Sequence, residues 1–185
     1  MRTILFLLAL LAAPALAQDA ARITTGDGAS GTPDASADLT TPRGVAALAL
    51  AACVVDAPGA RPDTAAIEAA GLELDSDTHT TASYFSELAT LDLAGGPDTY
   101  ACELRLAPQD EAGFAALAQA LSAAIGEAHE IVGGETLPDG QSWQIMPSEG
   151  VVTHVALTDD GPATLITATT TAAGDSPAAT NQGTD

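Results

Sequence analysis

From residue 99 to residue 106 the chain alternates strictly. Tyr100, Cys102, Leu104 and Leu106 fall on one side, and Ala101, Glu103 and Arg105 on the other. A period of two predicts a strand, and it aims Cys102 into a core. Gly95-Gly96-Pro97-Asp98 just before it is a turn, so a hairpin is expected. The period then changes. Across 109–128, Phe114, Leu117, Leu121, Ile125 and Ala128 recur at three- and four-residue steps. Asp110, Glu111, Gln119, Ser122 and Glu127 take the other faces, with acids in the first turn where the helix dipole favours them. This is the strongest helix of the chain.

Two further helices precede the hairpin. Thr41 can cap, Pro42 suits the first helical position, and residues 45–55 are apolar and Ala-rich until Pro58-Gly59 stops them. Cys53 falls in the last turn. Pro62 and Asp63 start a shorter helix that Gly71 ends as a C′ residue. Residues 82–93 fit neither period. After the breakers Gly133-Gly134 and Pro138-Asp139-Gly140, three short strands are expected at 142–146, 151–158 and 163–170. Pro147-Ser148-Glu149-Gly150 and Asp159-Asp160-Gly161-Pro162 are the turns between them. The order predicts a small single α+β domain: an antiparallel sheet of about five strands, helices on one face, and one disulfide.

The ends of the chain read differently. Arg2 precedes an apolar run over 4–13, Pro14 breaks it, and Ala15-Leu16-Ala17 supplies small residues at −3 and −1. That is the layout of a signal peptide over 1–17, with cleavage between Ala17 and Gln18. The run is too short for a membrane span, which needs roughly 20 apolar residues. A periplasmic or extracellular protein is expected, with no stable membrane insertion once the signal is removed. Residues 18–41 read as a disordered acidic leader and 171–185 as a disordered tail, since neither has apolar groups enough to offset the entropy of ordering. The domain occupies 42–170.

In an oxidising compartment an even pair of cysteines reads as a bridge between Cys53 and Cys102. It would close a loop of roughly 50 residues, worth about 4 kcal/mol in the chain-entropy model. Free thiols and an intermolecular bond are the alternatives; a redox pair usually needs C-x-x-C spacing, which is absent. Charge narrows the partners. There are 25 acidic residues against five Arg, and no Lys. Such a surface repels phosphate backbones and anionic lipid heads. Nucleic acid is thereby excluded, and a basic periplasmic protein is electrostatically allowed.

Candidate chemistry is sparse. Asp75, Asp77 and His79 alternate, and on an extended segment they would share a face and could hold a divalent cation. The Gly and Glu of a calcium loop are missing. His129 falls at a helix C-terminus, where a cation is favoured, and His154 falls on a sheet surface. No Gly-x-Ser-x-Gly, His-Glu-x-x-His or strand-linked Gly-x-Gly-x-x-Gly occurs, and no cofactor is implied. Trp143, flanked by Ser142 and Gln144, is a candidate exposed anchor for a partner.

The helix ending in Cys53, the segment Ala69-Ala70-Gly71-Leu72, then Tyr100-Ala101-Cys102-Glu103-Leu104 and Pro108 ahead of an Ala-rich helix together resemble small exported two-cysteine proteins of unknown function from proteobacteria. The resemblance spans about 45–125. It implies the disulfide and a single domain, and no activity. The expected role is a non-enzymatic accessory or binding protein. Two alternatives stand beside it: an acidic inhibitor or immunity-type partner of a cationic envelope hydrolase, and a small hydrolase using His79 or His154.

Overall fold

The computed structural model describes residues 37–173. The signal segment, and most of the expected leader and tail, lie outside the described residues.

Thr41 caps α1 (Pro42–Cys53), its hydroxyl accepting the Gly44 N–H at 3.1 Å. Just upstream, the Asp38 carboxylate accepts from the hydroxyl and N–H of Thr40 at 2.6 and 2.9 Å, which holds its pKa below the ordinary value. Leu39 packs on the core. Residues 37–41 therefore belong to the fold and not to a leader. Asp63 caps α2 (Thr64–Ala69), and Gly71 follows at φ 80°, the left-handed conformation expected of a C′ glycine.

Four strands come next: β1 (Glu73–Asp77), β2 (Thr81–Phe85), β3 (Ala89–Gly95) and β4 (Thr99–Leu106). Then α3 (Glu111–Ala128) begins at Asp110, whose side chain accepts the Gly113 N–H at 2.7 Å. Four more strands complete the domain: β5 (Glu130–Leu137), β6 (Gly140–Met146), β7 (Val151–Asp159) and β8 (Thr164–Ala172). β8 runs on through Ala172, so residues 171 and 172 belong to the sheet and not to a tail.

All strands join one antiparallel sheet in the order β1-β2-β3-β4-β8-β7-β6-β5. The class is α+β, as the pattern predicts, but the sheet has eight strands and not about five. The extra strands have physical reasons for being silent. Residues 82–93 are two strands with the turn at 86–88 between them, so no single period fits. Every side chain of β1 is exposed, and β5 has no buried residue. Neither edge strand carries a buried face that would impose alternation.

The sheet has one covered face. Tyr100, Cys102, Leu104 and Leu106 of β4 and Thr164, Ile166, Ala168 and Thr170 of β8 are buried on it. Against them pack α1, which contacts both central strands, and α3, which lies along α1. Leu48, Leu104, Leu121, Ile125 and Ile166 are fully buried, each worth about 1.5–3 kcal/mol of transfer free energy.

The expected bond is present. Cys53 at the end of α1 joins Cys102 in the middle of β4, with Cα atoms 5.1 Å apart. The Tyr100 hydroxyl donates to the Ala52 carbonyl, so helix end and strand are held twice at neighbouring positions. Burial, reinforced by nearby Tyr84, pushes the Tyr100 pKa well above its usual value and keeps it a donor. The Thr153 and Thr170 hydroxyls are fully buried and bonded to each other at 2.7 Å, and Thr164 accepts the Gln109 N–H at 3.2 Å. Among the described residues no buried side-chain polar atom lacks a partner.

Two outcomes follow. Replacing both cysteines with alanine should lower unfolding free energy by about 3–4 kcal/mol, read as a shift in the urea midpoint. Changing Thr170→Val alone strands the Thr153 hydroxyl and should lose about 1–3 kcal/mol, whereas the double change T153V/T170V should be closer to wild type than either single change. A simple sum of the two losses would show that the hydroxyl pair is not coupled.

Candidate functional site

The covered face offers little room for a ligand. Among the described residues, a hollow between the starts of α1 and α3 is about 120 Å³ and is lined largely by Leu39, Pro42, Val45, Leu88, Leu106 and Leu117. Small-molecule sites are typically about 300–1,000 Å³ with convergent polar groups. This hollow is smaller and contains no titratable side chain.

The residues singled out for chemistry are scattered. The alternation of Asp75, Asp77 and His79 does not survive folding. The register of β1 shifts between Leu74 and Ser76, the strand ends at Asp77, and His79 lies in the following turn. Arg61 already occupies this corner: Nη1 is 3.9 Å from Asp77 Oδ2, and Nη2 donates to the His79 carbonyl at 3.3 Å. Among the described residues, no three His, Cys, Asp or Glu side chains are grouped to hold a metal ion. His154 is exposed on β7, opposite Gln144 and Thr169, and four strands separate β7 from the β1 edge.

Trp143 reverses its expectation. It is 4% exposed and belongs to the core on β6, so it cannot be an exposed anchor. Its polar neighbours Ser142 and Gln144 point to the opposite face, as period two requires. Cys53 and Cys102 are the two expected site residues that the fold brings together.

Two surfaces remain. The first is the uncovered sheet face, which is polar along its middle. Ser83 donates to Asp92, Asp92 stands opposite Glu103, and Glu103 accepts from Arg105 at 2.8 Å. Like charges directly opposite repel, and here Ser83 and Arg105 each engage one of the pair. Thr167, Thr169 and Thr171 continue this face along β8.

The second is the β5 edge. Ile131 and Val132 are each 45% exposed, and Met146 beside them on β6 is 37% exposed. The glycines read as breakers lie inside this strand. A Cβ on Gly134 would come within 2.6 Å of the Ser142 carbonyl oxygen, so glycine is what lets β6 approach. The apolar pair Ile131-Val132 ahead of the glycines was the available signal for this edge. Comparison with family models, curated proteins and solved structures finds no match to the chain.

At the foot of α3, His129 is the C-cap, its N–H donating to the Ile125 carbonyl at 2.8 Å. It was expected to favour the cationic form. Instead, burial lowers its pKa, with Asp56 opposing that shift. The same Asp56 accepts the Ser148 hydroxyl through its carbonyl at 2.7 Å. The neutral imidazole is therefore the form the fold prefers. Its contribution is fully present above the ordinary value of 6.5 and is lost as pH falls through 6.5 toward the lower folded value. His129→Gln should flatten the fall in urea midpoint between about pH 7.5 and pH 5.5. An unchanged slope would place the effect elsewhere.

Proposed function

We propose that the chain is an exported, non-enzymatic binding protein whose partner is a cationic protein. The observation that carries this reading is charge. Against 25 acidic residues there are five Arg, and from Glu111 to Ala173 there is no Arg or Lys. A field of one sign speeds encounter with an oppositely charged partner and suppresses others.

Other features support it. A buried disulfide suits an oxidising compartment, consistent with a signal peptide cleaved after Ala17. No described helix is long and apolar enough to cross a membrane. The finer form of the proposal is an acidic inhibitor or immunity-type partner of a cationic envelope hydrolase. Nothing in the geometry around His79 or His154 favours the hydrolase alternative.

Calorimetric titration of the mature chain against a panel of cationic hydrolases, lysozyme among them, tests this. One-to-one binding to one member is expected, with loss of that member's activity. Affinity should fall steeply as the Debye length shrinks from about 10 Å at 0.1 M salt toward about 3 Å at 1 M. Equal weak binding to every basic protein, or none at low salt, would overturn the proposal.

A further inference from the structure

The two edges of the sheet are unequal. β1 is short and bulged, carries Glu73, Asp75 and Asp77, and ends under the Arg61 guanidinium. Shortness, bulging and charge are the devices that keep an edge from pairing. β5 is longer; its own bulge lies between Ile131 and Gly133, it is regular from there to Leu137, and among the described strands β6 is its sole partner.

The register defines what β5 offers. Pro138-Asp139 is a two-residue turn closed by Leu137 opposite Gly140. In such a hairpin the closing pair is hydrogen-bonded, and inward bonding alternates from there. Glu135 and Gly133 thus bond toward β6, while Thr136 and Gly134 turn N–H and C=O outward. Side chains follow the same alternation, reset once by the bulge between Ile131 and Gly133. Glu130 and Glu135 project on the open face, opposite Met146 and Ser142. Ile131, opposite buried Ile145, projects on the helix face, its side chain within 3.9 Å of where a Gly126 Cβ would stand.

We propose that β5 is a docking edge that adds an extended segment of a cationic protein as a ninth strand. This rests on the binding role proposed above and names where it acts. The occupant is specified by both faces: Lys or Arg at alternate positions against Glu130 and Glu135, and apolar side chains between them against Ile131. Main-chain bonds supply affinity and alternate side chains supply specificity, as in other strand additions. Charge selects this occupant over a second copy. Pairing β5 with itself would bring together two chains of formal charge −20.

The test uses the mature, isotopically labelled chain and a synthetic peptide alternating Arg with Val. Binding should protect the Gly134 and Thr136 amides from hydrogen exchange and weaken with salt. Thr136→Pro removes one outward N–H without touching the β6 ladder, and should weaken binding about five- to tenfold. Should that variant fail to fold, Ile131→Ser serves instead, with a smaller loss expected for the same peptide. Asp77→Asn on the opposite edge should bind like wild type. Protection at β1 or across the open face, or a dimer formed through β5, would overturn the assignment. If Thr136→Pro and Ile131→Ser still bind a cationic protein in a salt-sensitive way, the docking edge fails while the broader binding role stands. If wild type binds no cationic protein, both fall.

Discussion

The pairing of β4 with β8 holds the architecture together. Each is the last strand of its own four-stranded meander, and their antiparallel ladder from Thr99–Thr171 to Leu106–Thr164 fuses the two into one sheet. The ladder also sets the floor on which the helices rest. Cys102 faces Ala168, a small residue that leaves room beneath α1 for the bond to Cys53. Tyr100 faces Thr170, which meets Thr153 on the next strand. Slipping β8 by one residue against β4 would turn Ile166 to solvent and bring Thr167 inside.

How much of this the sequence disclosed depended on burial. β4 was legible residue for residue, because one of its faces is entirely core. α1 and α3 were legible in outline: Thr41 was read as a cap, whereas Asp110, read as a first-turn acid, is the N-cap of a helix that starts at Glu111. The edge strands carried no such signal. Glu73, Asp75 and Asp77 look like loop because nothing buries them, and Gly133-Gly134 look like a break because the reason for Gly134 is a neighbouring backbone. Trp143 was misread for the complementary reason. Its sequence neighbours are polar because they face away from it, and only the sheet shows which way each points. The cysteine pairing was legible from an even count of two, the expected compartment, and the alternation that turns Cys102 inward.

Chemistry was the least visible level, and the fold makes clear why. A reactive site needs side chains from separate elements to converge, and here those elements bring together hydroxyls and apolar groups. The polar atoms that are buried are satisfied by one another, which makes them rigid spacers. What the described surface presents is two backbone edges and an excess of acidic charge. Neither is written as a motif, since any sequence with an exposed strand and excess acid could carry them.

The position of the disulfide also orders events in time. Both cysteines precede α3, so the bond lies wholly within the segment that ends with β4. A chain emerging from its amino end presents Cys53 and Cys102 together before any of β5 to β8 has appeared. The first meander makes only short-range pairings, which form quickly, whereas the central ladder joins residues far apart in sequence and must wait. Until β8 arrives, β4 has a bare edge of unpaired N–H and C=O groups in what will become the middle of the sheet. The covalent link pins α1 against β4 through that interval. It keeps one face of β4 covered while that edge waits for its partner.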